Sequence, residues 1–373
     1  MSGSRWRDKP VVVRAPASSA NLGPGYDALG LALSLYDVAV ARVTSGGLDI
    51  EVSGEGSETT AAGEAHLVVR AMRATFDVIG GHPPGLGLRS LNAIPHGRGL
   101  GSSAAAIVTG ILAARGLARD GAALLPDDAL LALAASLEGH ADNVAACLHG
   151  GLTISWTPEC GTPGRGAPQP GTLHPGTLHP GTLQPGTLQP GTLQPGPPQP
   201  ASAADGSRPA APPGPRVVRL PVLEEIRPVV FVAEESLATQ TARGVLPAAV
   251  PHRDAAANAA RAALLVAALT RVPEVLFDAT QDFLHQPYRA RVMPRTADLL
   301  GRLRAAGVAA VISGAGPSVL AFTVAGARGG PDLVDSIVAE TGIAWHISPL
   351  AIDRQGATLQ TAVPGERPRD SAR

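Results

Sequence analysis

Three short segments of this 373-residue chain combine residue types that can carry chemistry. The first is PHGRGLGSSA at Pro95–Ala104, where three alternating glycines precede two serines and an alanine-rich stretch. Glycines let a backbone approach an anion closely, the first turn of a helix presents unpaired N–H groups, and hydroxyls can reach a phosphate oxygen or a metal ion. The segment predicts a phosphate site that works without a lysine, although a glycine loop can also be a plain structural turn.

The second segment is LEGHADNV at Leu137–Val144, which places two carboxylates, an imidazole and an amide around a helix break. Glu138 can face the phosphate loop and hold magnesium, which takes oxygen ligands and keeps several waters. Each residue also has a structural interpretation. Asp142 can cap the following helix, and His140 can be an ordinary hydrogen-bonding partner.

The third segment is VISGAGPSV at Val311–Val319, a glycine-rich connection between two apolar runs. As a hairpin turn it would use Gly314 and Gly316 for backbone angles that other residues avoid. Because the connection carries no bulky side chain, it also suits close approach to a ligand or to the phosphate loop.

Composition excludes several classes of function. The net charge is −1 with 16% charged residues, so no basic stripe points to nucleic acid. Lys9 is the only lysine in the sequence and lies in a polar start. This excludes a Walker A loop, the strand lysine of protein kinases and Schiff-base chemistry.

The same composition favours a cytoplasmic protein. The longest apolar runs, such as Ala262–Leu269, fall short of the roughly 20 residues that a membrane span requires. The first ten residues lack the apolar core of a secretory signal. Two cysteines, Cys147 and Cys160, give neither a zinc site by themselves nor a dense disulfide framework.

Hydrophobic periodicity and turn residues predict the elements that position these segments. In the first part of the chain we expect strands at Val11–Ala17, Tyr36–Val43, Gly47–Gly54, Leu86–Ile94 and Leu152–Trp156. We expect helices there at Glu64–Ile79, Ser102–Ala118, Ala129–Leu137 and Asp142–Leu148. The phosphate loop would then connect a strand to a helix.

The last part of the chain mixes strands and helices in the same way. We expect strands at Val217–Leu220, Pro228–Ala233, Ala309–Ile312, Val319–Thr323 and Ala344–Pro349. We expect helices at Ala238–Leu246, Asp254–Leu269, Arg295–Ala306 and Pro331–Thr341. This order, with glycine turns joining neighbouring strands, favours an α+β fold over a doubly wound parallel sheet.

The middle of the chain, Thr157–Arg216, is dominated by Pro, Gly, Thr, Gln and Ala, and Pro170–Gln194 is five tandem PGTLH or PGTLQ units. Proline at every fifth residue blocks helix and sheet hydrogen bonds, and little apolar surface offsets the entropy of ordering. We interpret this stretch as a flexible spacer. A partner-docking arm is the alternative.

Taken together, the segments resemble those of the GHMP small-molecule kinases. Ala15–Ala32, with the sequence APASSANLGPGYDALGLA, is similar to the first motif of the members that phosphorylate L-homoserine rather than galactose or mevalonate. Pro95–Ala106 resembles the phosphate loop of the family, Glu138–Val144 its acidic segment and Ser313–Ser318 its third motif. The resemblance covers nearly the whole chain except the insertion and the tail.

The resemblance implies a two-domain GHMP kinase fold of the α+β class, with an amino-terminal domain like ribosomal protein S5 domain 2 and a ferredoxin-like carboxy-terminal domain. The expected limits are 1–156 for the first domain, with the ATP phosphate loop, and 217–360 for the second. Residues 157–216 would be a disordered Pro/Gly-rich insertion, and 361–373 a flexible tail.

The implied activity is ATP-dependent, magnesium-assisted phosphorylation of the L-homoserine hydroxyl. By motif position, Ser103 and Glu138 would hold Mg²⁺. The implied ATP-binding residues are Pro95, Gly97, Arg98, Gly99, Leu100, Gly101, Ser102, Ser103, Ala104 and His66. The implied substrate-binding residues are Asn21, Asp27, His140, Asp142, Thr239, Arg243 and Arg289. The implied catalytic residues are Asn143, Glu138 and Arg243.

Like the members that phosphorylate L-homoserine, this chain has Asn143 where related kinases have an aspartate. An amide is a poor proton acceptor, so we hypothesise that no side chain acts as general base. In two other features the chain departs from the family. It has His66 where family members often have asparagine near the adenine. Glu138 and His140 are two residues apart, where family members often have a longer spacing.

Two alternatives remain at this level. Another GHMP kinase would act on a different small alcohol, but the guanidinium groups of Arg243 and Arg289 favour an amino-acid carboxylate. A non-catalytic ligand sensor would have no need for the magnesium pair Ser103 and Glu138. The resemblance also implies a possible homodimer.

Overall fold

The computed structural model describes residues 5–58, 61–158, 214–325 and 331–361. The described residues before 158 and those after 213 belong to one compact unit. Nearly all of the predicted insertion at 157–216, with its repeats and Cys160, lies outside the described residues, as does the tail from 362.

The described residues form eleven strands and eleven helices, with two short 3-10 turns at Gly63–Ala65 and Pro273–Val275. The strands are β1 (Val11–Ala20), β2 (Leu29–Thr44), β3 (Gly47–Gly54), β4 (Gly85–Asn92), β5 (Leu152–Trp156), β6 (Arg216–Leu220), β7 (Ile226–Val232), β8 (Ala309–Ile312), β9 (Val319–Val324), β10 (His346–Pro349) and β11 (Thr358–Thr361). The helices are α1 (Leu67–Ile79), α2 (Ser102–Leu117), α3 (Gly121–Leu124), α4 (Asp127–Glu138), α5 (Asp142–His149), α6 (Thr239–Gly244), α7 (His252–Thr270), α8 (Leu276–Ala279), α9 (Gln286–Arg289), α10 (Pro294–Ala305) and α11 (Pro331–Glu340).

The larger sheet contains seven of the described strands. Its main order is β11-β1-β2-β4-β3, and β5 pairs with both β2 and β6. All of its pairs are antiparallel except β3 with β4. Helix α2 packs against this sheet and α1, and it is apolar on every side, as expected of a helix surrounded by core. The phosphate loop therefore enters a helix that is held firmly along its length.

The smaller sheet has the order β10-β7-β9-β8 and is antiparallel throughout. Helix α10 packs against β8 and contacts α11. The buried side chains of this layer include Phe231, Leu299 and Leu303. Separate sheets with helices packed on them confirm the α+β prediction.

Most predicted elements are present, and the differences have physical reasons. The predicted helix at Glu64–Ile79 begins only at Leu67, because His66 is extended with φ −61° and ψ 129°. Strands β1 and β2 run through small residues of low strand propensity, where their mutual pairing stabilises them. The short helices α3, α8 and α9 and the strand β11 were missed.

Two strands near the ends of the predicted second domain pair within the larger sheet. Strand β6 pairs with β5, and β11 pairs with β1 through Val11 and Thr361. None of the described helices is long and apolar enough to cross a membrane.

Candidate functional site

The phosphate loop owes its shape to three glycines in the left-handed region, Gly97, Gly99 and Gly101, with φ between 66° and 72°. A Cβ on Gly99 would lie 2.1 Å from the carbonyl oxygen of Ser313, and a Cβ on Gly101 would lie 2.1 Å from Oγ of Ser18. Larger residues are thus excluded by both conformation and space. The loop ends at the start of α2, where no side chain of the N-cap residue Gly101 covers the first N–H groups.

The third motif is both a hairpin turn and a partner of the phosphate loop. Strands β8 and β9 pair up to Ile312 and Val319, and the loop between them is closed by the Ser313 N–H donating to the Ser318 carbonyl. Oγ of Ser313 donates to the Gly99 carbonyl at 2.7 Å. This confirms the expected approach of the third motif to the phosphate loop.

The first motif completes this contact. Nδ2 of Asn21 donates to the Gly314 carbonyl at 3.0 Å, and Oδ1 of Asn21 accepts the Asp27 N–H at 3.0 Å. Asn21 and Asp27 both have positive φ, at 65° and 55°. Such backbone conformations cost free energy in non-glycine residues and occur often in functional sites.

These loops enclose a cavity of about 120 Å³, which we call the phosphate cavity. Thirteen of the predicted site residues line it: Asn21, Gly97, Gly99, Gly101, Ser102, Ser103, Glu138, His140, Asp142, Asn143, Thr239, Arg243 and Arg289. Leu237 and residues 314–316 line it as well.

The two predicted magnesium ligands are in direct contact. Helix α4 ends at Glu138 because Gly139 takes a left-handed conformation with φ 92°. Oγ of Ser103 in the first turn of α2 then donates to Oε2 of Glu138 at 2.6 Å. Burial raises the pKa of Glu138, while the Ser103 bond and the nearby His140 oppose the rise.

His140 and Asp142 form a second close pair, with Nδ1 of His140 2.9 Å from Oδ1 of Asp142. Asp142 is only 1% exposed, and its carboxylate, as the hydrogen-bond acceptor of the imidazole, is the main reason that the pKa of His140 is raised. Oδ1 of Asp142 also accepts the Asn143 N–H, at 2.8 Å. The Asp142 carboxylate thus contacts a residue of the cavity and also accepts a backbone N–H group at the start of α5.

Asn143 is the predicted catalytic amide. Its Oδ1 accepts a hydrogen bond from Oγ of Ser18 at 2.9 Å. The amide is therefore oriented by β1, at the end of the strand that also contacts the phosphate loop.

The two predicted arginines reach the cavity in different ways. Arg289 is 1% exposed and donates to the carbonyls of Ala242 and Gly314. Arg243 is more open and holds Asp27 at two points, with Nη2–Oδ1 at 2.6 Å and Nη1–Oδ2 at 3.3 Å. Asp27 is thus bonded to a cavity residue without lining the cavity itself.

Four predicted ATP-binding residues of the phosphate loop do not line the phosphate cavity: Pro95, Arg98, Leu100 and Ala104. The Arg98 guanidinium donates to the carbonyls of Ala233 and Glu234, both at 2.7 Å. Leu100 and Ala104 are buried among core residues. These side chains shape the loop from outside.

A second cavity, of about 270 Å³, adjoins the first, and we call it the side cavity. Ser102 and Ser103 line both cavities. The predicted residue His66 lies in the side cavity, where burial and the nearby His96 lower its pKa. It is therefore a neutral imidazole near neutral pH.

Sequence reasoning missed several residues of the site. Ser18 and Ser19 orient Asn143 and Ser313, and they stand in the first motif, where only Asn21 and Asp27 were singled out. Asp37 lines the side cavity from the middle of β2. The sequence feature that could have indicated Asp37 is an acidic residue within an otherwise apolar strand pattern.

The donor set fits magnesium. Within the described residues there is no group of three or more His, Cys, Asp or Glu side chains arranged for a metal. One carboxylate and one hydroxyl beside a phosphate loop match an ion that keeps waters and takes phosphate oxygens as its other ligands. Ser103 and Glu138 supply this pair.

Comparison with known proteins identifies the relatives of the chain. Residues 66–151 match the GHMP kinases N terminal domain, and residues 260–328 match the GHMP kinases C terminal domain. The homoserine kinase of Streptomyces coelicolor is 48% identical, covering 96% of this chain and 97% of that protein. The homoserine kinase of Streptomyces avermitilis is 46% identical over 96% of this chain and 98% of its own length.

Solved structures share the fold. A homoserine kinase from Cytophaga hutchinsonii superposes with a TM-score of 0.67 at 22% identity, covering 96% of this chain and all of that one. A structure described as a homoserine kinase from Listeria monocytogenes gives a TM-score of 0.62 at 21% identity, covering 95% of this chain and all of its own. At these identities the likeness concerns the fold alone.

Proposed function

Because this chain belongs to the GHMP kinases, we infer that it transfers the terminal phosphoryl group of ATP to the hydroxyl of L-homoserine, giving O-phospho-L-homoserine. The chain is thus an enzyme with homoserine kinase activity, as are the curated relatives at 42–48% identity over nearly their full length. The observation that carries this proposal is that the first motif, the phosphate loop, the acidic segment and the third motif all line one cavity.

Nucleotide binding is assigned to the phosphate loop and the start of α2. The uncapped N–H groups of α2 and the glycine backbone can hold phosphate oxygens. Since Ser102 and Ser103 line both cavities, phosphates on the loop would place the nucleoside in the side cavity. His66 would then lie beside the nucleoside.

Magnesium is assigned to Ser103 and Glu138, where it would neutralise charge on the phosphates when bound. Burial of Glu138 disfavours its charged form in the free protein, so a cation at this point would restore the carboxylate.

The amino-acid part of the substrate is assigned to the wall of the phosphate cavity that carries Arg243 and Arg289. Arg289 and Arg243 would bind its α-carboxylate, and Asp27 or Asp142 its α-ammonium. Asn21 and Thr239 border the same space. The substrate hydroxyl would then lie between this wall and the phosphate loop.

We propose further that no side chain removes the hydroxyl proton. Asn143 is held by Ser18 and carries an amide, which is a poor proton acceptor. The rate would come from in-line positioning and from stabilisation of phosphoryl charge by the loop N–H groups, the metal and Arg243. The test is the pH profile at saturating Mg-ATP, where the metal keeps Glu138 ionised. A deprotonation that the rate still requires there, and that disappears when a carboxylate or imidazole other than Glu138 is replaced, would overturn this step.

Two finer points remain proposals: a division at 156 and 217 into two domains, and a homodimer. Light scattering on the purified chain measures the second directly. A mass equal to one chain, 37.7 kDa, would count against the dimer.

The activity is tested by ADP release with Mg-ATP and a panel of alcohols: L-homoserine, L-serine, L-threonine, mevalonate and galactose. We expect turnover with L-homoserine and its loss by about 100-fold or more in Glu138→Gln, because the amide cannot bind the cation as a carboxylate does. Glu51→Gln, on the exposed edge of β3, is the matched control and should leave turnover unchanged.

Preference for another alcohol would keep the kinase assignment and remove the substrate roles of Arg243 and Arg289. Binding of ATP or homoserine without any turnover would instead indicate a ligand sensor.

A further inference from the structure

Asp37 is a buried acid in the middle of β2 whose two carboxylate oxygens have different surroundings. Oδ1 accepts the N–H of Ala93 at 2.7 Å and the N–H of Ile94 at 2.9 Å. Oδ2 makes no hydrogen bond or ion pair within the described part of the chain and belongs to a side chain that lines the side cavity. The fold uses one oxygen and leaves the other free.

Other polar groups in this cavity also lack partners. Among the described residues, nothing bonds to either ring nitrogen of His66 or to Oγ1 of Thr109, although both residues are only 3% exposed. Buried polar groups in folded proteins are nearly always hydrogen-bonded. Two such side chains beside the free oxygen of Asp37 therefore point to a polar ligand in this cavity.

The charge of Asp37 is not balanced within the cavity. No Arg or Lys is among the described residues that line it, and its other titratable lining groups are His66 and His96. Both imidazoles are disfavoured in their charged form, because burial lowers the pKa of each. A ligand that donates hydrogen bonds to Asp37 would stabilise the buried carboxylate.

Asp37 also connects the side cavity to the phosphate loop. The two N–H groups on Oδ1 are the last ones before Pro95, where the loop begins. At the far end of the loop, Ser102 and Ser103 border the same cavity. A ligand group bonded to Oδ2 would thus be connected, through the Asp37 carboxylate, to the backbone that leads into the phosphate loop.

We propose that Asp37 binds a hydrogen-bond donor of the ATP nucleoside through its free oxygen and so couples nucleoside binding to the position of the phosphate loop. An ionised carboxylate only accepts hydrogen bonds, so its partner is a ribose hydroxyl or the amino group of the base. This inference rests on the proposed ATP site.

The test replaces the carboxylate by its amide. In Asp37→Asn the side-chain oxygen can still accept the Ala93 and Ile94 N–H groups, but an NH₂ donor replaces the free acceptor. We expect the Kd of ADP, measured by calorimetry on the full chain, to rise about tenfold or more, the usual effect of losing a hydrogen bond to a charged group. The melting temperature should not fall.

Three ADP analogues identify the donor: 2′-deoxy-ADP, 3′-deoxy-ADP and the diphosphate of purine riboside, which lacks the amino group. For the analogue without the donor that Asp37 holds, Asp37→Asn and the unchanged protein should bind equally well. The other two analogues should keep the full difference. This pattern separates a contact to the ribose from a contact to the base.

Asp353→Asn is the matched control. Asp353 is also buried, at 6% exposed, and its carboxylate accepts the N–H groups of Gln355 and Gly356. Its other oxygen accepts the hydroxyl of Tyr36, and Asp353 lines neither cavity. The Kd of ADP should not change in this variant.

Equal ADP binding by Asp37→Asn and the unchanged protein would overturn the proposal. If Asp37→Asn does not fold, the analogues on the unchanged protein decide, because one of them must then bind about tenfold more weakly than ADP. Three analogues that bind as well as ADP would refute it. A protein that binds no ADP would remove the proposed function as well, whereas intact turnover of L-homoserine would confine the failure to Asp37.

Discussion

Asp27 and Arg243, the residues assigned to the two charged groups of the substrate, hold each other in the free protein. The pair is bidentate, and the side chains of Arg243 and Asp27 are 36% and 40% exposed. A zwitterion can replace both partners at once, giving its carboxylate to Arg243 and its ammonium to Asp27. A ligand with only one of these charges would leave the other residue unpaired, which favours amino-acid substrates.

The Asp27–Arg243 pair predicts an uneven effect of Asp27→Asn on two substrates. For L-homoserine we expect KM to rise about tenfold, because the ammonium loses a charged partner. For 4-hydroxybutyrate, which has no ammonium, KM should fall, because Arg243 is released from Asp27. Steady-state kinetics on both alcohols measures this.

The control for this comparison is Asp49→Asn, which breaks the exposed pair of Asp49 with Arg42 on the larger sheet. It should change neither KM. An equal rise of KM for both substrates in Asp27→Asn would show that Asp27 acts only through the fold.

At the scale of elements, the hairpin between β8 and β9 supports the phosphate loop. The contact is so close that Gly99 has no room for a Cβ beside the Ser313 carbonyl. This explains why two glycine-rich segments that are distant in sequence belong to one site. Their backbones can approach each other closely because neither segment has a Cβ at the point of contact.

Gly99→Ala should therefore lower the free energy of unfolding by more than the strain of a left-handed backbone conformation alone would. A left-handed alanine costs about 1–2 kcal/mol, and overpacking adds about 1–3 kcal/mol. Gly307→Ala, with a similar φ of 82° and open space around its Cβ, is the matched control for the conformational part. Urea unfolding measures both variants, and equal losses would contradict the close contact.

Asp37 links β2 to the end of β4 and should make stability depend on pH. Burial raises the pKa of Asp37 from 3.8 to about 6, so the folded state holds this proton more tightly than the unfolded state. The contribution of Asp37 to the free energy of unfolding is fully present below pH 3.8 and is lost as the pH rises to about 6. A shift of this size is worth about 3 kcal/mol.

The measurement is the free energy of unfolding of Asp37→Asn against the unchanged protein across this pH range. Because the amide does not titrate, the variant should gain relative stability as the pH rises from 4 to 7, and the difference should level off above that. A constant difference would mean that the Asp37 carboxyl is ionised throughout the range.

At the scale of the whole molecule, the long Pro/Gly-rich segment starts and ends at paired strands. Trp156 of β5 and Arg216 of β6 are register partners, so the two ends of the segment are adjacent. All thirteen predicted residues that line the phosphate cavity lie outside this segment.

Replacing residues 159–213 by a short Gly/Ser loop should therefore preserve catalysis. We expect kcat and KM for L-homoserine to stay within about twofold, because none of the predicted cavity residues is replaced. A closing loop this much shorter should also stabilise the pairing of β5 with β6 by about 2 kcal/mol. A large loss of turnover in a folded variant would favour a functional arm over a spacer.

The sequence by itself determined the features that depend on local backbone geometry. Three alternating glycines, a glycine after a helix and a glycine-rich hairpin permit the left-handed backbone conformations found in these segments, and their order indicated the family. Element types followed from periodicity for the same reason, apart from short helices and the edge strand β11, whose few residues carry too weak a pattern.

Only the tertiary structure decided which side chains meet. Arg243 and Asp27 are 216 residues apart and Asn21 and Gly314 are 293 apart, so their contacts depend on the register and packing of two sheets. The same holds for Asp37, whose free oxygen is visible only once the end of β4 occupies the other one. Local pattern fixes the parts of the site, while long-range packing fixes their partners, their burial and their charge.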